Sequence, residues 1–306
     1  MSLEVELKLL LPPADAPEVF AAIVSYCRET CPAVQQQAEK TLLNTYFDTA
    51  DSWFRRHDSG LRTRQKQGQF EQTLKLAGQQ HGAAHIRPEY NIPASGVIPV
   101  LSAFPAEVWP AGTDVNALQT QLFELFRTDF VRQTFNLFTT AGARIELAFD
   151  QGVVAGGGQQ EHLCELELEL QSGAVGEIFA LAGALVRQFP LQLGVQSKAE
   201  RGYLLAQQQP LCWQAFAPTD SSAAYLSKFL RNQLLVSRNL ADPELLARQW
   251  LQWLNRLSAN PAAVLLFNSA AALGTQPEPQ ALQSWLLQYS TWLLDPNTLT
   301  STVLPA

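Results

Sequence analysis

The chain has 306 residues, 47% hydrophobic and 16% charged, which is enough apolar material for one large domain or two ordinary ones. Its net charge of -7 argues against an extended nucleic-acid surface, because such surfaces normally carry an excess of lysine and arginine. The N-terminus carries charges where a signal peptide has an apolar run, and no stretch is apolar enough to span a bilayer, so we expect a cytoplasmic protein without membrane contact.

Alternation of apolar and polar side chains dominates residues 1–206 and predicts β-strands. The predicted strands lie near 3–10, 42–48, 60–67, 70–77, 86–92, 128–138, 143–150 and 161–171. Helices are predicted near 15–30, 116–126 and 174–189, and three glycines at 156–158 predict a hairpin loop.

After a predicted linker at 207–220, the apolar period becomes helical. Four helices are predicted at 221–240, 243–258, 261–273 and 278–294, with Asp242 and Asn260 placed to cap two of them. The sequence therefore predicts a small all-α domain over 221–306. Its enrichment in leucine, alanine and tryptophan favours core packing or a homodimer interface.

Charged side chains share one face of the first predicted strand, where Glu4, Glu6 and Lys8 alternate with leucine and valine. A half-buried strand with a solvated outer face would give the same pattern. The other strands weaken that explanation, because charges are scarce in the chain and yet recur on single strand faces. These faces carry Arg62, Arg64 and Lys66; Thr73 and Lys75; Arg87 and Glu89; Arg144, Glu146 and Asp150; and Glu165, Glu167 and Glu169.

A closed antiparallel barrel accounts for this distribution with apolar faces outward and charged faces in a polar lumen. About eight strands can enclose one small ligand. Crowded carboxylates would be stabilised by a hard divalent cation, and arginines facing the same space match a phosphate polyanion. The residues thus predict an α+β fold equipped for phosphoryl transfer.

The order of the motifs resembles the CYTH superfamily of triphosphate tunnel metalloenzymes over roughly residues 1–206. The first motif is Glu4-Val-Glu-Leu-Lys8, which fits the Glu-x-Glu-x-Lys signature of that superfamily. The chain is most similar to the bacterial branch of inorganic triphosphatases, which usually carries a C-terminal helical CHAD domain. The later motifs are Tyr46-Phe-Asp-Thr49, Gly60-Leu-Arg-Thr-Arg64, Thr73-Leu-Lys75, Arg87-Pro-Glu-Tyr90, Thr128-Asp-Phe-Val-Arg132, Arg144-Ile-Glu-Leu-Ala-Phe-Asp150, Cys164-Glu-Leu-Glu-Leu-Glu169 and Ser197-Lys-Ala-Glu-Arg-Gly-Tyr203.

The resemblance implies an eight-stranded antiparallel tunnel with flanking helices and assigns a role to most luminal charges. The implied catalytic residues are Glu4, Glu6 and Lys8. The implied ligands of Mg²⁺ or Mn²⁺ are Glu4, Glu6, Glu165 and Glu167. The implied triphosphate-binding residues are Arg62, Arg64, Lys75, Arg87, Arg132, Lys198 and Arg201. Two roles stay open, metal ligand or orienting partner of a cation, for Glu89, Glu146, Asp150 and Glu169.

The resemblance implies hydrolysis of inorganic triphosphate, and it leaves three alternatives. They are a class IV adenylate cyclase, a thiamine triphosphatase, and a non-catalytic sensor of triphosphates or nucleotides. The expected partner is inorganic or nucleoside triphosphate. The helical segment has no histidine and few cations, so we expect either a reduced CHAD-like domain or an unrelated helical addition. His85, which lacks ligand spacing, is predicted to lie at the surface.

Overall fold

The computed structural model describes residues 2–81 and 83–294. The strands over these residues are β1 (Ser2–Leu10), β2 (Ala33–Gln36), β3 (Lys40–Asp48), β4 (Gly60–Lys66), β5 (Gln69–Lys75), β6 (Gln79–His81), β7 (Ala84–Ala94), β8 (Phe123–Phe138), β9 (Arg144–Gly156), β10 (Gln159–Ser172) and β11 (Gln192–Gly194). The α-helices are α1 (Ala16–Thr30), α2 (Trp53–Arg56), α3 (Val115–Thr120), α4 (Val175–Gln188), α5 (Lys198–Ala206), α6 (Ser222–Ser237), α7 (Pro243–Ser258), α8 (Val264–Ala272) and α9 (Pro279–Leu294).

Eight of the strands form a closed barrel in the order β1-β10-β9-β8-β3-β4-β5-β7, and β7 pairs back with β1. Neighbouring strands around the ring are antiparallel. The short strands β2, β6 and β11 extend the sheet beside β8, β7 and β1, and they were not predicted. The predicted eight-stranded antiparallel barrel with flanking helices is confirmed.

The two faces of each barrel strand separate apolar from charged side chains. On β1, Leu7 and Leu9 are fully buried outside the barrel, in one apolar cluster with Phe20 of α1 and Ile178 of α4. The alternate residues, such as Glu6, face the lumen together with the charged residues of β10. Burial of the outer face beneath two helices therefore fixes which side chains enter the barrel.

The helix predicted near 116–126 is wrong beyond its first turns, because α3 ends at Thr120 and β8 begins at Phe123. Phe123 pairs with Asp48 of β3, and the ring of Phe126 stacks on Tyr46 with centroids 4.4 Å apart. Cross-strand pairing therefore outweighs local helix propensity in this segment. The predicted hairpin between β9 and β10 is confirmed, and positive φ angles of 59° and 76° at Gly157 and Gly158 suit a two-residue turn.

The predicted C-terminal helices are present as α6 to α9 and pack against the barrel. No helix or strand occurs between Ala206 and Ser222. The backbone N–H of Leu193 on β11 donates to Gln283 Oε1 of α9 at 2.9 Å, and Leu286 lies in the same apolar cluster as the outer face of β1. The proposed domain limits stay a prediction, and 295–306 lie outside the described residues.

Tryptophans form the centre of the helical region. Trp253 packs edge-on against Trp250 of α7, with centroids 6.2 Å apart, and against Trp285 of α9, at 5.2 Å. Trp285 Nε1 donates to the carbonyl of Leu266 at 3.1 Å, so its polar group is satisfied inside the core. Within 2–81 and 83–294, no helix combines the length and the apolar character that a membrane span requires.

Candidate active site

The lumen of the barrel contains a polar cavity of about 130 Å³. It is lined by every predicted site residue except Glu165 and Arg201. A second cavity of about 400 Å³ lies next to it, and Arg64 and Arg132 line both. The barrel therefore encloses a tunnel with two adjoining compartments.

Glu165 and Arg201 do not line the cavity, although Glu165 contacts two lysines that do. The side chain of Glu165 is 1% exposed and accepts hydrogen bonds from Lys8 and, at 2.6 Å, from Lys198. Arg201 donates to Glu161 Oε1 at 2.8 Å and to the carbonyl of His162. Both side chains therefore already have protein partners. The roles of Glu165 as a metal ligand and of Arg201 as a phosphate ligand stay predictions.

One side of the tunnel is a network of buried ion pairs. The carboxylate oxygens of Asp150, Glu165 and Glu167 approach within 4.8 Å of one another. Lys198 Nζ lies between them, 2.7 Å from Asp150 Oδ2 and 2.8 Å from Glu167 Oε1. Arg132 contacts both oxygens of Asp150 at 2.6 Å in a bidentate pair.

The network holds its members in their charged forms. Burial opposes ionisation of Glu167, but Lys198, Lys8 and Arg132 together keep its pKa well below the ordinary value. Burial also opposes the charge on Lys8, and the facing carboxylates outweigh it and raise the pKa of the ammonium. Burial opposes the charge on Lys198 too, but Asp150, Glu165 and Glu167 outweigh it and raise the pKa of this ammonium. Both ammonium groups in the network therefore remain N–H donors.

Helix α5 brings Lys198 into the tunnel. Ser197 caps the helix by accepting the backbone N–H of Glu200 at 3.1 Å, and Lys198 is the first helical residue. Further along α5, a methyl group on Gly202 would overlap the buried ring of Phe126. The missing side chain at position 202 thus lets the helix approach β8 closely.

The other side of the tunnel carries three arginines, Arg62, Arg64 and Arg87, which we call the arginine side. None of the three has a carboxylate at ion-pair distance among the residues that the structure describes. Arg64 Nε donates to Asn44 Oδ1 at 2.7 Å, and Arg87 Nη2 donates to His85 Nδ1 at 2.7 Å. These guanidinium groups are oriented by neutral partners and keep their charge for a ligand.

Crowding of positive charge affects the pKa of the arginine side. Burial, with Arg62 and Arg132 nearby, lowers the pKa of Arg64 to about 9. Burial opposes ionisation of the Tyr46 phenol, but Arg62 and Lys75 outweigh burial and lower its pKa. An anion placed in the tunnel would relieve this repulsion.

Carboxylates from β1 and β10 face the arginine side. Both oxygens of Glu4 accept from Lys75 Nζ at 2.6 Å. Glu6 and Glu169 are direct cross-strand partners. Burial, then Glu4 and Glu146, raise the pKa of Glu169 to about 7. Such crowded oxygen ligands suit a hard divalent cation.

The prediction that His85 lies at the surface is wrong. The residue is 4% exposed, on the luminal face of β7 opposite Glu6. A sequence signal was available, because His85 shares the strand face of Arg87 and Glu89. Sequence analysis assigned no role to Tyr46, which lines the cavity, or to Asn44, which accepts from Arg64, because these uncharged side chains gave no alternating charge to detect.

Comparison with known proteins identifies the family. A model of the CYTH domain matches residues 2–203. The chain belongs to the CYTH family. Over 274 residues this CYTH protein is 30% identical to an inorganic triphosphatase from Haemophilus influenzae, with 84% of this chain and 74% of the relative covered.

Solved structures resemble the CYTH barrel at lower identity. A Hippeastrum protein, described as a candidate adenylyl cyclase with a dominant triphosphatase activity, has 15% identity, a TM-score of 0.47, and coverage of 68% of this chain and 97% of its own. A candidate adenylate cyclase from Bacillus halodurans has 17% identity, a TM-score of 0.40, and coverage of 66% and 98%. No function follows from likenesses of this size.

Proposed function

We propose that this protein hydrolyses inorganic triphosphate to diphosphate and phosphate with the help of Mg²⁺ or Mn²⁺. The observation that carries the proposal is the arginine side, where Arg62, Arg64 and Arg87 lack carboxylate partners among the described residues and line one cavity together with carboxylates. The relative from Haemophilus influenzae, named an inorganic triphosphatase, supports the same activity.

The charge distribution favours a compact polyanion. Guanidinium groups bind phosphate oxygens through paired N–H donors, and three of them in one cavity match three linked phosphates. The cavity lining is mostly charged, with Tyr46 and Phe130 as its aromatic members. Inorganic triphosphate needs no further apolar surface, whereas a nucleotide would also require a site for its base.

The donor set fits a divalent cation beside the phosphates. Glu4 and Glu6 are two of the three predicted ligands that line the cavity, and Glu169 adds a carboxylate directly across from Glu6. A cation held by these carboxylates would neutralise phosphate oxygens and lower the pKa of a bound water. Glu167, the other predicted ligand in the lining, accepts from Lys8 and Lys198 and contributes chiefly by holding those lysines.

The protein groups would bind and orient the reactants. In the reaction, a water oxygen forms a bond to the terminal phosphorus while the bond from that phosphorus to the bridging oxygen breaks and diphosphate leaves. The three arginines would bind the phosphate oxygens and stabilise negative charge as it moves toward the leaving group. Lys8, kept protonated by its carboxylate neighbours, would donate to the terminal phosphate where water attacks.

A release assay tests the proposal. Phosphate release is measured with inorganic triphosphate, ATP and thiamine triphosphate, each with Mg²⁺, Mn²⁺ or EDTA. We expect turnover of inorganic triphosphate with metal and loss of turnover in EDTA. Arg62→Ala should raise KM at least tenfold, whereas Arg127→Ala, at an exposed pair with Glu124, should match wild type. Tight triphosphate binding without turnover under any condition would instead favour a sensor.

A further inference from the structure

His85 is a buried histidine with one unsatisfied nitrogen. Its side chain lies on β7 opposite Glu6, and the residue is 4% exposed. Its Nε2 atom is buried and has no hydrogen-bond partner within the described part of the chain. An unpaired polar atom in this position is costly, and native proteins usually satisfy it with a ligand or water.

The tautomer of His85 follows from its other nitrogen. Arg87 Nη2 lies 2.7 Å from His85 Nδ1, and a guanidinium group can only donate. Nδ1 must therefore accept, and the proton of the neutral ring resides on Nε2. Because Nδ1 must keep its lone pair to accept from Arg87, this hydrogen bond requires the neutral ring.

This tautomer decides what the free nitrogen can bind. An Nε2–H group is a donor and has no lone pair for a metal ion. The fitting partner is an acceptor, and the guanidinium group beside it favours an anionic one. His85 is therefore suited to an anion and not to a second cation.

A small chamber beside the tunnel offers space for such an anion. It measures about 70 Å³, and His85 and Arg87 line it. Arg87 also lines the tunnel cavity, so one guanidinium group faces both spaces. Gly78 also lines the chamber, and it packs so closely on β7 that a methyl group there would overlap the backbone of Ile86. Asp58 contributes an exposed carboxylate that also borders the chamber.

We propose that this chamber is a subsite for a single phosphate group, which accepts the Nε2–H of His85 and pairs with Arg87. The proposal rests on the proposed function, because hydrolysis of triphosphate in the adjoining tunnel supplies that group. Its volume of about 70 Å³ exceeds what a single water molecule requires, so one tetrahedral oxyanion has space there. The group is either released orthophosphate or the terminal phosphate of bound triphosphate.

Equilibrium dialysis with radiolabelled orthophosphate tests the subsite without requiring turnover. The dialysed proteins are wild type, His85→Leu, which removes the donor, and His85→Gln, whose amide can replace it. We expect His85→Leu to weaken orthophosphate binding roughly tenfold and His85→Gln to retain most of it. His162→Leu, at an exposed histidine on β10, is the matched control and should bind like wild type.

The KM for triphosphate separates the two sources of the phosphate group. An unchanged KM in His85→Leu assigns the chamber to released orthophosphate, and a tenfold higher KM assigns it to the terminal phosphate of the substrate. Equal orthophosphate affinity in wild type and His85→Leu overturns the subsite, and so does an equal loss in both His85 variants. If the leucine variant does not fold, ¹⁵N NMR of wild-type histidines decides, because added orthophosphate must shift the Nε2–H resonance of His85.

If wild type binds orthophosphate through His85 but never turns over triphosphate, the proposed function fails and the subsite stands. If turnover is present while dialysis detects no dependence on His85, the subsite fails and the function stands.

Discussion

Glu6 and Glu169 are directly opposite each other on β1 and β10, and no cation pairs with either carboxylate within the described residues. Like charges at opposed positions of neighbouring strands destabilise a sheet. The rest of the tunnel carboxylates in this region are bound by lysine or arginine, as Glu4 is by Lys75. This pair therefore marks the place where a divalent cation would add most to stability.

We expect Mn²⁺ or Mg²⁺ with triphosphate to raise the free energy of unfolding by about 2.7 kcal/mol at a hundredfold excess over Kd. Glu169→Gln should stabilise the metal-free protein, by up to about 1 kcal/mol, and reduce the response to metal. Thermal unfolding with and without EDTA measures both effects. Glu107→Gln, at an exposed position, is the control. An unchanged metal response in Glu169→Gln would show that Glu169 does not contribute to the cation site.

Glu4→Gln separates chemistry from binding. The glutamine keeps the size of the side chain and removes the negative charge with which Glu4 is predicted to bind the metal ion. We expect kcat to fall on the order of a hundredfold while triphosphate still binds. Single-turnover hydrolysis beside equilibrium binding measures the two quantities, with Glu39→Gln in an exposed loop as control. Normal hydrolysis by Glu4→Gln would remove Glu4 from the catalytic residues.

Lys198 is predicted to be essential for stability as well as binding. Its ammonium group contacts Asp150, which is fully buried, and Glu165, which is 1% exposed. Lys198→Met leaves these carboxylates undercompensated and should cost about 3–5 kcal/mol of unfolding free energy. Lys228→Met, which breaks a more exposed pair with Asp220, should cost much less. Urea denaturation compares them, and equal costs would contradict the buried-network interpretation.

Helix α6 holds the helix that carries Lys198. Arg231 forms an ion pair with Glu200 of α5, and Arg238 lies 2.8 Å from Glu161, which also binds Arg201. Loss of these ion pairs should let α5 shift and should displace Lys198 from the phosphates of a bound triphosphate.

We therefore expect Arg231→Ala to raise KM about fivefold with a smaller change in kcat, and Arg231→Lys to recover part of the loss. Arg248→Ala removes an exposed pair with Glu244 on α7 and should leave both constants unchanged. Steady-state kinetics on the four proteins decides whether the helical region positions the site. A wild-type KM in Arg231→Ala would exclude this role.

Gly202→Ala tests the close packing of α5 on β8. The added methyl group meets the ring of Phe126, which is 2% exposed and has little space to move. We expect destabilisation by about 1–3 kcal/mol. Gly176→Ala, at an open and exposed helical position on α4, should instead stabilise by up to about 1 kcal/mol. Chemical denaturation of both variants measures the difference, and a neutral Gly202→Ala would mean that α5 can shift without cost.

The sequence by itself determined most of the barrel strands and the strand face on which their charged residues lie. Alternation with a period of two is a local property, so Glu4, Glu6 and Lys8 could be placed on one face without knowing their neighbours. The order of the motifs along the chain indicated the CYTH family. The same local logic explains why helices α6 to α9 were predicted near their observed limits.

Only the tertiary structure decided which charges meet. The lysine partners of Glu165 depend on the register between β1 and β10 and on the position of α5 at the barrel. Closure of the barrel sets both together. The burial of His85 likewise depends on neighbours distant in sequence, because β1 pairs with β7 on one side of it and the unpredicted strand β6 on the other. Charge pairing across a closed barrel is a non-local property. The sequence therefore predicts which charged residues are luminal, and only the fold separates the paired lysines from the arginine side, which has no carboxylate partner in the described chain.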